Sequence, residues 1–196
     1  MEILGKILGS PARVKIMKLF LLNKSKGFRS KDIVQKSQVK PDALRRELRL
    51  LSSIHFIKKR SSVSQDWFFN SAFKYTTGLE HLLFRSDSLN KDSILNIFKK
   101  VGQIKLLIVS GIFIKNNDSR VDLLIVGDRI KRGRIESIIR KLEAEMGSEL
   151  IYALFDTKEF NYRLSMYDKL IRDILDFPHE IVFQAKELST QTLNKT

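Results

Sequence analysis

Residues 28–60 read FRSKDIVQKSQVKPDALRRELRLLSSIHFIKKR, and this stretch predicts two helices joined by a tight turn. Ser30 is a residue type that caps helices, and Ile33 after it would face the interior from a short helix. A proline suits the first turn of a helix, where its missing N–H has no intrahelical partner in any case. Pro41 therefore predicts that a longer helix begins there and runs over residues 41–53.

The longer helix has an apolar side and a basic side. Its leucines recur at i, i+4 and i+7 and would face the core, whereas its arginines project elsewhere. The leucines are Leu44, Leu48 and Leu51, and the arginines are Arg45, Arg46 and Arg49. A helix fits the DNA major groove, and guanidinium groups on its open face can take phosphates or guanine edges. The alternative is a solvated surface on which Glu47 pairs with a neighbouring arginine.

The sequence on both sides extends this pattern. Ser10 and Pro11 predict another helix start, followed by apolar residues at mostly helical spacing. Beyond the longer helix, residues 56–60 and 67–70 are short strand-like runs that flank a polar segment. This arrangement predicts a β-hairpin with its tip at residues 61–65.

Three helices followed by a hairpin resemble the DNA-binding core of ArsR- and MarR-like winged helix-turn-helix transcription regulators, over residues 8–75. The resemblance implies double-stranded DNA as the partner, with cations beside the hairpin on phosphates. A single winged helix domain reads few base pairs, and a symmetric operator requires two such domains. A homodimer is therefore expected. The residues expected to contact DNA are Lys40, Asp42, Arg45, Arg46, Arg49, Lys58, Lys59 and Arg60.

Charge is unevenly distributed along the chain. The 196 residues contain 36 Lys and Arg against 22 Asp and Glu, a net charge of +14. Residues 1–75 hold 17 of the cations and 5 of the acids, a surplus of 12, whereas residues 76–196 hold 19 and 17, a surplus of 2. Such an asymmetry is expected when one module meets a polyanion. A basic surface that only aids solubility would give the same count.

The composition also bears on location and cofactors. The chain has no cysteine, which excludes disulfides and thiolate metal sites, and its three histidines are far apart in sequence. The sequence contains no apolar run of about 18 residues, so it predicts no membrane span. The start MEILGKILGSPARVK lacks the apolar stretch of a secretory signal. We therefore expect a cytoplasmic protein without a cofactor or metal.

After a helical linker over residues 76–103, the sequence alternates between strands and helices. Unbroken apolar runs predict buried strands over 104–114, 121–126 and 149–155. Helices are predicted over 130–147, with Gly147 at the end, and over 157–177. The fold class expected is α+β, with a winged helix domain over 1–75, a mixed α/β domain over 104–185 and a polar tail over 186–196.

Residues 110–128, SGIFIKNNDSRVDLLIVGD, resemble the signature of DNA polymerase β-type nucleotidyltransferases, and the likeness in element order covers residues 95–185. In that family a Gly-Ser loop grips a nucleotide phosphate. Two carboxylates two residues apart on the next strand hold Mg²⁺. Here the Gly-Ser pair is reversed, as Ser110-Gly111. Asp122 matches the second carboxylate, but Arg120 stands at the position of the first.

These departures weigh against catalysis. An arginine cannot ligate a cation, and Asp118 is four residues from Asp122, the wrong spacing for two ligands on one strand. Arg120 and Asp122 are expected on one face, where they could pair with each other. We expect no catalytic residues. The candidate residues for holding a nucleotide phosphate are Ser110, Gly111, Arg120 and Asp122.

The sequence thus favours a DNA-binding transcription regulator. Its nucleotidyltransferase-like domain would be inactive and would serve dimerisation or the sensing of a small nucleotide effector. One alternative is an active nucleotidyltransferase acting on RNA or protein, with the winged helix recruiting the substrate. Another is an RNA-binding module, since a winged helix can also bind duplex RNA.

Overall fold

The structure is a computed structural model and describes residues 2–60, 65–85, 91–99, 101–114, 116 and 118–188. The fold is of the α+β class, as expected. The chain divides into two compact units. The first unit comprises Met1–Ser88 and Ile139–Glu149, and the second comprises Leu89–Ile138 and Leu150–Thr196.

The predicted helices within residues 1–88 are confirmed, with small changes at their ends. Ser10 caps α2 by accepting a hydrogen bond from the Arg13 N–H at 3.3 Å. Ser30 was expected to cap α3 but is its first residue. The capping position belongs to Arg29, whose N–H donates to the Asp32 carboxylate at 3.1 Å. The helices of this part are α1 (Glu2–Ile7), α2 (Pro11–Leu22), α3 (Ser30–Ser37), α4 (Pro41–Ser53) and α5 (Thr76–Arg85).

A small antiparallel sheet accompanies these helices. Strands β2 (Ile57–Lys59) and β3 (Trp67–Phe69) form the predicted hairpin, and the residues 61–64 of its expected tip lie outside the described residues. Strand β1 (Gly27–Phe28), which the sequence did not predict, pairs with β3 on the other side. The sheet thus ties the turn before α3 to the hairpin after α4.

Aromatic rings form much of the core beneath this sheet. Phe56 is fully buried and contacts Phe69 and Phe73 edge to face, with ring centroids 5.4 and 5.3 Å apart. Phe20 of α2 meets Phe28 of β1 in the same geometry, which is the preferred arrangement of aromatic pairs. These contacts fix the hairpin and β1 against α2.

The second unit is built around a mixed sheet in the order β6-β5-β4-β7. Strand β4 is antiparallel to β5 and β7, whereas β5 is parallel to β6. The central pair is almost wholly buried, as the apolar runs predicted. The strands are β4 (Gln103–Val109), β5 (Leu123–Asp128), β6 (Tyr152–Phe155) and β7 (Glu180–Gln184).

Two sequence-based expectations for this part were wrong, and one strand was missed. The strand expected over 104–114 ends at Val109 and is followed by a single 3₁₀ turn, Gly111–Phe113. The helix expected over 157–177 is two helices, because Tyr167 takes a left-handed φ of 54° and Asp168 caps a new helix. Strand β7 was not predicted. The helices after α5 are α6 (Lys91–Phe98), α7 (Arg132–Met146), α8 (Thr157–Ser165) and α9 (Lys169–Asp176), and the part of α7 from Ile139 onward belongs to the first unit.

Within the described residues, no helix has the length and apolar character needed to cross a membrane.

Candidate nucleic-acid interface

Helix α4 separates its leucines from its arginines, as its sequence predicted. Leu44, Leu48 and Leu51 are buried at 2, 5 and 0% exposure, whereas Arg45, Arg46 and Arg49 are exposed. Lys40, at the N-cap position, and Asp42, in the first turn, are exposed as well. The leucine face anchors the helix to the core, so its basic face has a fixed orientation.

The basic face of α4 is largely unneutralised. Glu47, the acid considered as a partner for the arginines, points to the core side and pairs with Arg13 of α2 at 2.8 Å. Arg45 forms a solvent-exposed pair with Asp42 at 3.3 Å, a type of pair that contributes little. Among the described residues, Arg46 and Arg49 form no ion pair. Their charge is therefore available to an anionic partner.

The hairpin carries a second exposed group of cations, Lys58, Lys59 and Arg60. The Lys59 ammonium lies 5.0 Å from the centre of the Trp67 ring, and the Arg60 guanidinium lies 5.7 Å from that of Phe68. A cation over an aromatic face is held there by the ring quadrupole while its outer side stays in solvent. These rings on β3 therefore orient cations at the end of β2.

The aromatic residues of β3 differ in their burial and contacts. Phe69 is buried, but Trp67 and Phe68 are half-buried and face the hairpin cations. The pairing of the two strands could have predicted that these rings lie beside cations, since Lys59 is directly opposite Trp67 and Lys58 is opposite Phe68. Side chains directly opposite in an antiparallel pair are neighbours.

The nucleotidyltransferase-like stretch holds its candidate residues in a network of hydrogen bonds to the main chain. Ser110 is buried; its hydroxyl donates to the Val121 carbonyl and its N–H donates to the Asp122 carbonyl at 2.9 Å. Gly111 has a φ of +55°, and a Cβ there would stand 2.1 Å from the Asp122 carboxylate. Only glycine fits this close approach. The structure thus brings three of the four candidate residues together.

The Asp122 carboxylate binds two backbone amides. Its Oδ1 accepts from the Ile112 N–H and its Oδ2 from the Ile151 N–H, both at 2.9 Å. These bonds tie the 3₁₀ turn after β4 to the segment that leads into β6. Asp122 is therefore a structural acceptor at the start of β5.

Arg120 does not pair with Asp122, contrary to the expectation from their spacing. Strand β5 begins only at Leu123, so the alternation of side chains along a strand does not apply to Arg120. Its guanidinium reaches Asp173 of α9 instead, at 2.7 Å. No local pattern predicts this contact, because the two residues are far apart along the chain.

The Mg²⁺ implied by the nucleotidyltransferase resemblance does not fit these residues. A two-metal site needs several carboxylates around the ions, but the oxygens of Asp122 bind amides and Arg120 occupies the position of the other acid. Within the ranges that the structure describes, no three Asp, Glu, His or Cys side chains lie close enough together to hold a metal ion. The stretch carries structural bonds in place of a metal centre.

Comparison with protein-family models, with curated proteins and with solved structures found no match to this chain.

Proposed function

We propose that the protein is a DNA-binding transcription regulator of the winged helix-turn-helix type, acting in the cytoplasm as a homodimer. The observation that carries this proposal is the exposed basic face of α4, where Arg46 and Arg49 form no ion pair among the described residues; the oriented cations of the hairpin are its second component. In the first unit, α3 and α4 form the helix-turn-helix. Strands β2 and β3 form the wing.

The chemistry of these side chains suits duplex DNA. An α-helix fits the major groove, and an arginine there binds the O6 and N7 atoms of guanine in a bidentate manner. Arg46 and Arg49 are the best candidates for such contacts, because no acid of the described residues neutralises them. Lys58, Lys59 and Arg60 would bind phosphates beside the groove, where a point charge suffices. Base contacts would then come from α4 and affinity from both elements.

The second unit has the character of a nucleotidyltransferase-like domain that has lost its metal site. Its support is the order of elements after β4 and the Ser110-Gly111 turn packed against Asp122. Since these residues make structural hydrogen bonds, we propose that the unit serves dimerisation or the binding of a small effector. A homodimer follows from operator symmetry, because each winged helix would read one half-site.

The test is selection of duplexes from a random-sequence DNA library by the full chain. We expect an enriched sequence. On that sequence the double variant Arg46→Gln/Arg49→Gln should bind at least tenfold more weakly and lose most of its preference over scrambled DNA. Lys58→Gln/Lys59→Gln should weaken binding to both duplexes alike, because phosphate contacts carry no sequence information. The exposed Lys74, which lies outside α4 and the hairpin, gives the control Lys74→Gln for the loss of a single surface charge.

The single tryptophan, Trp67, provides a second readout, because it lies beneath Lys59 in the hairpin. Binding of a phosphate to Lys59 should change its fluorescence in the wild-type chain. A chain that enriches no sequence, or that keeps its preference after loss of both α4 arginines, would contradict the proposal.

A further inference from the structure

A second group of exposed cations lies in the second unit, in the connection between β5 and α7. Residues 129–134, which we name the basic loop, read RIKRGR and contain four cations and no acid. All four are exposed: Arg129, Lys131, Arg132 and Arg134. The net surplus of charge lies in residues 1–75, so the overall count does not reveal this local concentration.

The acid directly before the basic loop is bound to Thr157 of α8. Asp128, directly before it, accepts hydrogen bonds from the Thr157 N–H and hydroxyl at 3.1 and 2.9 Å. Within the described part of the chain, Arg129, Lys131 and Arg132 form no ion pair. The loop also leads into α7, which has no acid in its first turn. Cations are unfavourable at that end of a helix, so this arrangement is not explained by stability.

The backbone of the basic loop has a fixed conformation. The Lys131 N–H donates to the Val101 carbonyl at 3.2 Å, and the Arg129 carbonyl packs against Gly102, where a Cβ would approach it to 2.9 Å. Arg129 itself has a φ of 53°, in the left-handed region that non-glycine residues avoid. The loop therefore presents its exposed cations from a backbone held by main-chain contacts.

The cavity beside the basic loop is small. The cavity that Arg132 shares with Glu136 and Tyr152 has a volume of about 250 Å³, below the size range of sites for drug-sized ligands. Exposed cations on a fixed open loop suit a chain of regularly spaced phosphates. We propose that the basic loop binds the phosphate backbone of the duplex DNA that the first unit reads. The inference therefore rests on the proposed function.

The test measures binding of the full chain to a fluorescein-labelled random-sequence duplex of about 30 base pairs at about 50 to 200 mM salt. The variant Lys131→Gln/Arg132→Gln should bind this duplex on the order of tenfold more weakly at the lowest salt. Its slope of log affinity against log salt should be smaller by roughly 2, since each phosphate contact contributes about 0.9. Its preference for an enriched sequence over scrambled DNA should not change.

The matched control is Lys169→Gln/Arg172→Gln, which removes the same charge from α9 of the same unit. Asp173 on α9 pairs with Arg120, which precedes β5, whereas the basic loop follows β5. The control cations therefore lie towards the opposite end of that strand. A third variant, Arg129→Asn, replaces the strained residue with one that tolerates positive φ. It should melt at the same or a higher temperature and still bind DNA more weakly.

The outcomes separate this inference from the function on which it rests. Equal losses in the two double variants would overturn the role of the basic loop while leaving DNA binding by α4 intact. Absence of DNA binding by the wild-type chain would overturn the proposed function itself. A wild-type preference for duplex RNA of the same sequence, lost in Lys131→Gln/Arg132→Gln, would overturn the inference in favour of an RNA partner.

Discussion

Asp122 uses both of its carboxylate oxygens for structural hydrogen bonds. Each of its carboxylate oxygens accepts one backbone N–H, from Ile112 and from Ile151. A carboxylate is well suited to this because it only accepts hydrogen bonds. The same bonds occupy the group that the nucleotidyltransferase resemblance would assign to a metal.

Replacement of Asp122 by asparagine should therefore destabilise the second unit. The asparagine side chain has one oxygen that can accept and one NH₂ group that cannot. The NH₂ group would therefore face one of the two backbone N–H groups that now donate to Asp122, and that hydrogen bond would be lost. We expect a loss of about 1–3 kcal/mol in the free energy of unfolding, measured by urea denaturation. Asp118→Asn is the control, because the Asp118 side chain is exposed. Equal stability of the two variants would contradict the structural role of Asp122.

Asp168 makes the stability of the second unit depend on pH. The Ile171 N–H that donates to its carboxylate keeps the pKa of Asp168 below its usual value, and the Leu170 N–H and Arg163 add to this effect against the opposing effect of burial. A carboxyl group with a lowered folded-state pKa stabilises the protein above its unfolded pKa of about 3.9. That contribution is lost as the pH falls through the folded value.

The variant Asp168→Asn should thus melt below the wild type at neutral pH, and the gap should narrow in acid. Thermal melting from about pH 7 down to about pH 3 measures the gap, because the contribution of Asp168 begins to be lost as the pH falls through the unfolded pKa of about 3.9. Asp118→Asn is the control, because it shows how the removal of one exposed carboxyl group alone changes the melting temperature. A gap that stays constant over this range would show that the charge of Asp168 is not the cause.

At the scale of elements, α4 ends in a complete Schellman motif with an unusual residue. The Phe56 N–H donates to the Leu51 carbonyl at 2.9 Å and the His55 N–H to the Ser52 carbonyl at 3.0 Å. Phe56 and Leu51 are both fully buried, which supplies the hydrophobic contact of the motif. His55 has a φ of 60°, where glycine is the preferred residue.

His55→Gly should raise the free energy of unfolding by about 0.5–1 kcal/mol, because glycine adopts this conformation without the penalty of a Cβ. Urea denaturation measures the change. Ser52→Gly, within the last turn of α4, is the control and should lower stability by about the same amount. A destabilised His55→Gly variant would mean that the histidine side chain makes a contribution larger than the strain.

The elements that the sequence predicted are those whose signals are local. The stripe of Leu44, Leu48 and Leu51 and the proline at position 41 define α4, and its exposed arginines follow from the same periodicity. The break between α8 and α9 was missed because Tyr167, a residue with no preference for positive φ, adopts it. Strand β7 was missed because its short run after Pro178 acquires its partner only in the sheet, beside β4.

In the candidate sites, too, only the features with a local signal could be predicted from the sequence. Exposure of the α4 and hairpin cations could be predicted, because burial of the opposite face determines it. The partners of charged residues could not, since Glu47 pairs with Arg13 and Arg120 pairs with Asp173 through tertiary contacts between residues distant in sequence. The two bonds of Asp122 depend on loop backbone that periodicity does not describe.

At the scale of the whole molecule, charge is the property that links the sequence to the proposed function. The net charge of +14 is concentrated in residues 1–75, and the exposed cations of α4 and the hairpin belong to that surplus. The basic loop adds a local group in the second unit, where the total charge is closer to balance. A protein of this kind should bind DNA with a strong electrostatic component.

The most direct test of the account is the salt dependence of binding between the full chain and a labelled DNA duplex of about 30 base pairs. If the protein contacts about six or more phosphates, raising the salt from about 50 to 200 mM should weaken its affinity on the order of a thousandfold. Fluorescence anisotropy measures the Kd at each concentration. We predict this steep loss of affinity, and either no binding at low salt or a Kd that does not change with salt would contradict the account.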